Sequence, residues 1–205
     1  MNKEKAAILR GKGFMKILGL VGSQRRNGNS HLILKEAFKR CDVETEIVQL
    51  AEMRVDWCNA CGFCKDTMKC VVEDDVDSIF DKIVRADAVL FSIPRYLPIP
   101  SKFIALIERI GALYHYKLEA DPEFHIPLEG KPFGLVVVSA GGGRQALEAL
   151  KEMVFQIIHC WHMKLITTDS YPYLGVLAKG EKVGEVLEDQ EAIEHVRELI
   201  KKLTM

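Results

Sequence analysis

The sequence predicts an α/β protein built on a doubly wound, five-stranded parallel sheet. Short apolar runs, typical of strands, alternate along the chain with segments of helical periodicity. The apolar runs are nearly continuous, which indicates strands that are covered on both faces. A polar loop follows the first strand, as in sheets that bind an anion where the strand order reverses. Together with right-handed crossovers, these features favour the strand order 2-1-3-4-5.

Five short apolar segments are predicted to form the strands. The first ends in glycine, and the fourth contains Leu135-Val136-Val137-Val138, the most strand-like sequence in the chain. Runs of this length and composition, bounded by turn residues, are typical of strands. The predicted strands cover residues 16–22, 44–50, 87–93, 131–139 and 164–170.

The segments between the strands carry apolar residues at the spacing of an amphipathic helix. In the clearest example, Val76, Ile79 and Ile83 form an apolar stripe, and Asp74 is the candidate N-cap residue. Residues 119–130 contain two prolines and are predicted to form a long excursion from the sheet. The predicted helices cover residues 32–41, 74–84, 101–113, 144–161 and 190–203.

Length and composition limit the class of protein. The 205 residues suit one domain, and 48% hydrophobic with 28% charged residues is typical of a globular protein. The formal net charge of −1 gives no general attraction to nucleic acid or an anionic membrane, so neither is expected as a partner. No apolar run approaches the roughly 20 residues of a membrane-spanning helix, and the first residues lack a secretory signal pattern. We expect a cytoplasmic protein with one domain over residues 15–205, preceded by an extension over residues 1–14.

The polar loop after the first strand is the first candidate site. A helix N-terminus attracts phosphate through its free N–H groups and its dipole, and Ser, Asn and Arg side chains add donors and charge. Gly28 lets the backbone bend around an anion. The glycine patterns of dinucleotide-binding and P-loop proteins are absent from the sequence, which favours a single terminal phosphate, as in FMN; the alternative is a solvated loop capped by Ser30. The candidate ligands are Ser23, Arg25, Arg26, Asn27, Gly28, Asn29 and Ser30.

Two further loops follow the third and fourth predicted strands and are expected at the same edge of the sheet. Glycines allow the main chain to lie close to a planar ring and to offer N–H donors to its carbonyls, and Tyr96 can pack on the ring. With the first loop they predict one concave site for a flavin. The candidate residues are Pro94, Arg95, Tyr96 and Leu97 in one loop, and Ala140, Gly141, Gly142 and Gly143 in the other.

Four of the six cysteines form a C-x2-C-x2-C-x5-C pattern, within a loop at residues 57–71 after the second strand. A reducing compartment disfavours disulfides, so the cluster indicates metal binding or redox chemistry. Four thiolates are what a 4Fe-4S cluster requires, and the first three have the ferredoxin spacing. Zinc is the main alternative, although structural zinc sites usually use two separated pairs; free cysteines without metal are a third interpretation. The candidate ligands are Cys58, Cys61, Cys64 and Cys70.

Together these segments resemble the iron-sulfur flavoproteins, a branch of the NADPH-dependent FMN reductase family with a flavodoxin-like fold. The resemblance covers about residues 15–170 and includes three departures. Arg95 stands where the family commonly has a small apolar residue, Leu97-Pro98-Ile99-Pro100 replaces a Gly/Ser-containing turn, and Glu108-Arg109 stands where Asp-Arg is usual. The resemblance implies bound FMN, a compact 4Fe-4S cluster, and homodimers or homotetramers that bring the cluster of one subunit near the flavin of another. It also implies electron uptake from ferredoxin or a reduced nicotinamide. The matching segments are the loop 22–30, the four-cysteine pattern, Asp74-Asp75, Ala86-Asp87, Pro94-x-Tyr96 and Gly141-Gly142-Gly143.

The resulting hypothesis is an oxidoreductase that connects a one-electron donor to a two-electron acceptor. Its cofactors would carry the chemistry, so no protein acid or base is assigned. Two alternatives remain. One is an NAD(P)H-dependent FMN or quinone reductase without a functional cluster, and the other is an assembly module stapled by zinc at the four cysteines.

Overall fold

The structure is a computed structural model that describes residues 15–96, 99–141, 143–169 and 174–205. The predicted extension over residues 1–14 lies outside the described residues, as do Leu97 and Gly142 of the predicted site. Among the described helices, none is long and apolar enough to cross a membrane.

One parallel sheet organises the described residues, and its strand order confirms the prediction. The order is β2-β1-β3-β4-β5, and a sixth strand, β6, also pairs with β4. The strands are β1 (Lys16–Val21), β2 (Glu44–Gln49), β3 (Ala88–Pro94), β4 (Pro132–Ser139), β5 (Lys164–Leu165) and β6 (Val176–Lys179).

The edge next to β4 differs from the prediction of one strand over residues 164–170. The strand β5 pairs only with Pro132 and Phe133, and β6 pairs with the later part of β4. Between them the chain leaves the sheet, where Asp169 N donates to Glu198 Oε1 at 3.1 Å. It returns to β4 at Gly175, where the backbones lie so close that an added Cβ would clash with the main-chain oxygen of Leu135. Residues 166–168 are β-branched, as is typical of a strand. Ile166 N still donates to Phe133 O at 2.8 Å, but the described pairing of β5 with β4 ends at Leu165.

The helices flank the sheet. Those predicted over residues 32–41 and 74–84 are found at Asn29–Phe38 and Val76–Arg85, the short helix Phe63–Thr67 was not predicted, and two others differ more. The predicted helix over residues 144–161 is divided at Leu150, and the helix predicted to end at residue 113 continues to Ala120. That extension buries Tyr114, whose ring meets Phe80 edge-on at 5.6 Å. The helices are α1 (Asn29–Phe38), α2 (Phe63–Thr67), α3 (Val76–Arg85), α4 (Ser101–Ala120), α5 (Arg144–Glu148), α6 (Lys151–Cys160) and α7 (Gln190–Leu203).

Each face of the sheet carries its own hydrophobic core, as the continuous apolar strands predict. On one face Phe91 contacts Phe103, Phe133 and Trp161, with ring centroids 5.5, 5.7 and 6.4 Å apart. On the other face, the neighbouring Leu90 belongs to a core with buried residues of α1 and α7. Successive side chains of a strand point to opposite faces, so a strand with both faces covered is apolar throughout.

Candidate functional site

The carboxyl ends of β1, β3 and β4 lie at one edge of the sheet and border a cavity of about 240 Å³. This is the edge where ligands bind in doubly wound sheets. The three loops singled out from the sequence all contribute to it, together with a fourth loop that follows β6. The lining residues are Ser23, Arg25, Gly28, Asn29, Ser30, Pro94, Arg95, Tyr96, Val138, Ala140, Gly180, Glu181 and Val183.

The loop after β1 is held tightly against β3. Gly22 N donates to Ser92 O at 2.9 Å, and a Cβ at Gly22 would lie 2.5 Å from Ile93 Cγ2. Ser92 Oγ in turn donates to Ser30 O at 2.8 Å in a buried hydrogen bond. These contacts fix where α1 begins relative to the sheet, and therefore where its N-terminus meets the cavity.

The start of α1 has the features of an anion site. Gly28 is its N-cap residue, and its first turn, which is fully described, contains no acidic side chain. The first N–H groups of a helix have no partner within the helix, and together with the dipole they favour an anion. Arg25 is exposed at the cavity wall beside the buried Ser23. Arg26 and Asn27 are exposed on the same loop but do not line the cavity.

Asn29 connects this loop to the segment after β6. Its side-chain nitrogen donates to Lys182 O at 2.8 Å, and its side-chain oxygen accepts from Gly184 N at 2.8 Å. A Cβ at Gly180 would lie 2.6 Å from the Asn29 nitrogen, so the two segments are in close contact. The amide predicted as a phosphate donor is thus hydrogen-bonded to the fourth loop, which forms one wall of the cavity.

The loop after β3 forms the opposite wall. Arg95 N donates to Val138 O at 2.8 Å, which keeps this loop next to the end of β4. Pro94 is buried, and Tyr96 remains 37% exposed at the cavity edge. Leu97, the remaining predicted residue of this loop, lies outside the described residues.

The glycine-rich loop after β4 is divided between two cavities. Ala140 lines the cavity described above, whereas Gly141 and Gly143 line a neighbouring one of about 270 Å³ at the start of α7. Gly143 has a φ of 48°, in the left-handed region that favours glycine. The predicted ring-binding loop therefore brings only Ala140 of its described members into the first cavity.

The cysteine loop, residues 57–71, lies between β2 and α3 and contains the short helix α2. Left-handed backbone at Ala60, Gly62 and Met68 turns the chain sharply. All four cysteines are free thiols; Cys61 is exposed and the other three are partly buried. Within the described parts of the chain, no three His, Cys, Asp or Glu side chains converge into a metal-binding group.

The cysteine thiols nevertheless influence one another. Burial raises the pKa of the Cys64 thiol, and the nearby Cys70, Cys58 and Cys61 raise it further. Negative charges on neighbouring thiolates disfavour one another, and a cation placed among them removes that repulsion. The donor set therefore has the composition of a thiolate metal site, although the four sulfurs do not converge in the described structure.

The two ends of the cysteine loop are hydrogen-bonded together. Asp56 N donates to Asp74 Oδ2 at 2.8 Å, and Arg54 N donates to Asp75 Oδ2 at 2.6 Å. The main chain closes the same gap, since Asp75 N donates to Arg54 O at 3.0 Å. Asp75, not the predicted Asp74, is the N-cap residue of α3, while Asp74 Oδ1 accepts from Val76 N at 3.1 Å. The physical reason is that Asp74 is turned toward the loop, where it has other partners.

A family model described as NADPH-dependent FMN reductase matches residues 15–170 of the 205. The chain belongs to the NADPH-dependent FMN reductase family. It is accordingly an oxidoreductase, as the sequence predicts, and the match spans the loop after β1 and the four cysteines. The predicted relationship to iron-sulfur flavoproteins is confirmed as well.

Two archaeal relatives of this FMN reductase family member carry that name. An iron-sulfur flavoprotein of Methanocaldococcus jannaschii is 30% identical over 200 residues, covering 92% of this chain and 95% of the relative. The iron-sulfur flavoprotein of Methanosarcina thermophila is also 30% identical, over 205 residues, covering 92% and 98%.

Solved structures show the flavodoxin-like fold of the family member. The NAD(P)H:quinone oxidoreductase from Methanothermobacter marburgensis superposes with a TM-score of 0.64 at 14% identity, covering 94% of this chain and 98% of that one. At this identity the likeness concerns the fold, and it agrees with the strand order found here.

Sequence reasoning missed the fourth wall of the cavity, formed by Gly180, Glu181 and Val183. These residues follow β6 (Val176–Lys179), a strand that the sequence analysis did not predict. The signal that could have found them is the turn sequence Lys179-Gly180 directly after the apolar residues 176–178.

Proposed function

We propose that the cavity at the carboxyl ends of β1, β3 and β4 binds FMN and that the protein is an electron-transfer flavoprotein. The observation that carries this proposal is that an anion-binding helix start and a wall suited to a planar ring share one cavity. The family match supports a flavin in that cavity.

The phosphate of FMN would lie at the start of α1. Arg25, Gly28 and Ser30 line the cavity there, and the phosphate would accept from the first N–H groups of α1, the Ser30 hydroxyl and the Arg25 guanidinium. A dianion at this position is favoured by the helix dipole and by the cationic side chain. The fixed contact of the loop with β3 means that little reorganisation is needed on binding.

The ring of the flavin would lie between the loops after β3 and β4. Tyr96 is exposed at the cavity edge, where its ring can pack on the flavin, and Ala140 leaves the opposite main chain accessible. The protein's role is to orient the ring and to exclude water from one face, while the flavin, when bound, supplies one- and two-electron chemistry.

The four cysteines Cys58, Cys61, Cys64 and Cys70 would hold a 4Fe-4S cluster. Four partly exposed thiols within thirteen residues match the donor number and softness of such a cluster, and the names of both archaeal relatives agree. The loop must draw the thiolates closer together than they lie in this structure. A reducing cytoplasm would keep the thiols available for this purpose.

Electrons would enter from ferredoxin or from NAD(P)H, and we propose a homodimer or homotetramer in which subunits share the transfer. Trp57 is 74% exposed and Phe63 is 46% exposed on the cysteine loop. Apolar rings exposed at this loop would be covered by a second copy of the chain. Sedimentation measurements on the loaded protein test the oligomeric state.

The second candidate function is an NAD(P)H-dependent FMN or quinone reductase without a cluster. This function is favoured by the cysteine loop as described, in which the thiols do not converge into a metal-binding group. A zinc-stapled assembly module at the same cysteines is the third outcome that an experiment must distinguish.

Anaerobic purification followed by metal, sulfide and flavin analysis tests these functions. Flavin with about four iron and four sulfide per chain supports the electron-transfer flavoprotein. Flavin with zinc or no metal supports the reductase, and zinc without flavin supports the assembly module. Substituting all four cysteines with serine provides the matched control, since it removes the cluster ligands and leaves the flavin cavity intact.

A further inference from the structure

Arg109 lies within α4 and faces the base of the cysteine loop. Its side chain is 2% exposed. Arg109 Nη1 donates to Asp56 O at 3.3 Å, just before the first cysteine of the pattern, and Nη2 donates to Val72 O at 3.2 Å, just after the last. One guanidinium therefore binds both ends of the loop.

Asp74 completes this arrangement. Arg109 Nη1 pairs with the Asp74 carboxylate, whose side chain is 1% exposed. Burial alone would raise the pKa of Asp74, but hydrogen bonds from Asp56 N, Arg109 and Val76 N together lower it. Asp74 is thus held as a carboxylate beside a buried guanidinium, and neither group is left without a counter-charge.

Cys70, the last cysteine of the pattern, lies near the same guanidinium. Arg109 and Cys70 line one small cavity together with Tyr114. Burial lowers the pKa of Arg109, but the paired Asp74 carboxylate, together with the neighbouring Cys70, outweighs that effect and raises it. Arg109 Nε has no hydrogen-bond partner in the portion of the chain that the structure describes. The Nε–H group of Arg109 is therefore available as a donor in the cavity that Cys70 also lines.

We propose that Arg109 is a positioning residue for the cysteine loop: it fastens both ends of the loop, and from the cavity that it shares with Cys70 it supplies a donor to the Cys70 sulfur when that thiolate binds a cluster. The second part rests on the proposed function, because it concerns the thiolate as a cluster ligand. Hydrogen bonds to cluster sulfurs raise the reduction potential, and such outer partners also orient the ligands. Lysine cannot replace Arg109, because a point charge cannot span two carbonyls and a carboxylate as the planar fork does.

Amide hydrogen exchange of the metal-free protein tests the fastening. In Arg109→Lys, which keeps the buried charge opposite Asp74, exchange over residues 57–71 should be about tenfold faster than in the wild type. Arg54→Gln removes an exposed cation from the same loop base and should leave exchange unchanged. Equal exchange in wild type and Arg109→Lys would overturn the proposal.

Reconstitution with iron and sulfide tests the contact with Cys70. The cluster of Arg109→Lys should lose iron to a chelator several-fold faster and show a midpoint potential shifted downward, while Arg54→Gln matches the wild type. The same retention and potential in Arg109→Lys would refute the sulfur contact. If the wild type itself takes up no iron, the proposed cluster fails, and hydrogen exchange alone decides whether Arg109 fastens the loop.

Discussion

The side-chain amide of Asn29 donates to the main-chain oxygen of Lys182 at 2.8 Å, across 153 positions of the chain. This hydrogen bond joins the start of α1 to the loop after β6. A second hydrogen bond, from Gly184 N to the Asn29 side-chain oxygen, joins the same two segments. Two walls of the proposed flavin cavity are therefore held together by one side chain.

Asn29→Ala is expected to weaken FMN binding about tenfold, because two hydrogen bonds of roughly 1 kcal/mol each no longer hold the fourth wall. Titration of the flavin-free protein with FMN, followed by quenching of flavin fluorescence, measures the change. Lys182→Ala is the control, since it keeps the main-chain oxygen that Asn29 binds. Equal affinities of Asn29→Ala and wild type would contradict the prediction.

Arg25→Gln is expected to weaken binding of FMN by roughly tenfold and to leave binding of riboflavin unchanged. The reason is that a charge-assisted contact at the start of α1 acts only on the phosphate. Comparing both ligands by calorimetry gives the difference directly. Lys39→Gln, an exposed cation beyond the opposite end of α1, should change neither affinity. Equal losses for both ligands would show that Arg25 does not recognise phosphate.

Gly22→Ala is expected to lower the free energy of unfolding by about 1–3 kcal/mol, because the added methyl group overpacks the contact between β1 and β3. Its Cβ would lie 2.5 Å from Ile93 Cγ2. Gly111→Ala in α4 is the matched control, since the nearest atom to its Cβ is Cys160 Cβ at 3.8 Å. That variant should gain about 0.5–1 kcal/mol from helix propensity. Urea unfolding monitored by circular dichroism measures both, and a neutral Gly22→Ala would disprove the tight fit.

Glu46→Gln is expected to lower stability at pH 7 by at most about 1 kcal/mol. Glu46 accepts from Lys16 at 2.7 Å and from Lys82 at 2.5 Å, and these hydrogen bonds lower the pKa of its carboxyl group, although burial opposes them. Since the pKa is lower in the folded protein, the stabilisation exists above the ordinary pKa of glutamate and is lost as pH falls through the folded value.

Unfolding measured between pH 7 and about pH 3 checks this dependence. The difference between wild type and Glu46→Gln should shrink as the pH falls through the acidic range. Glu44→Gln serves as the control, because Glu44 is 58% exposed and lies 3.3 Å from Lys16. A difference that stays constant with pH would contradict the assigned pairing.

Local sequence patterns were sufficient to predict the strand order and the polar loop after β1 that lines the cavity. Continuous apolar runs encode strands covered on both faces, and this is visible within six or seven residues, as in β1 and β3. The polar loop that ends in Gly28 is likewise local, because it is defined by the strand before it and the helix after it. These features depend on neighbours in sequence, so the sequence displays them.

The fourth wall, the divided edge strand and the role of Arg109 depend on residues distant in the chain. Residues 166–168 have the composition of a strand, yet the pairing of β5 with β4 ends at Leu165, and Asp169 N donates to Glu198 of α7 instead. In the sequence, nothing distinguishes Arg109 from the other cationic residues of predicted helices. In the fold, its guanidinium donates to the main-chain oxygens of Asp56 and Val72.

The sequence by itself determined the layered parallel sheet, the polar loop that leads into α1 and the four closely spaced cysteines, because each follows from residue types within one short segment. Only the tertiary structure decided that Asn29 fastens a distant loop and that Arg109 closes the cysteine loop. The physical reason is that a hydrogen bond between distant residues depends on where donor and acceptor meet in space, and local periodicity carries no information about that meeting.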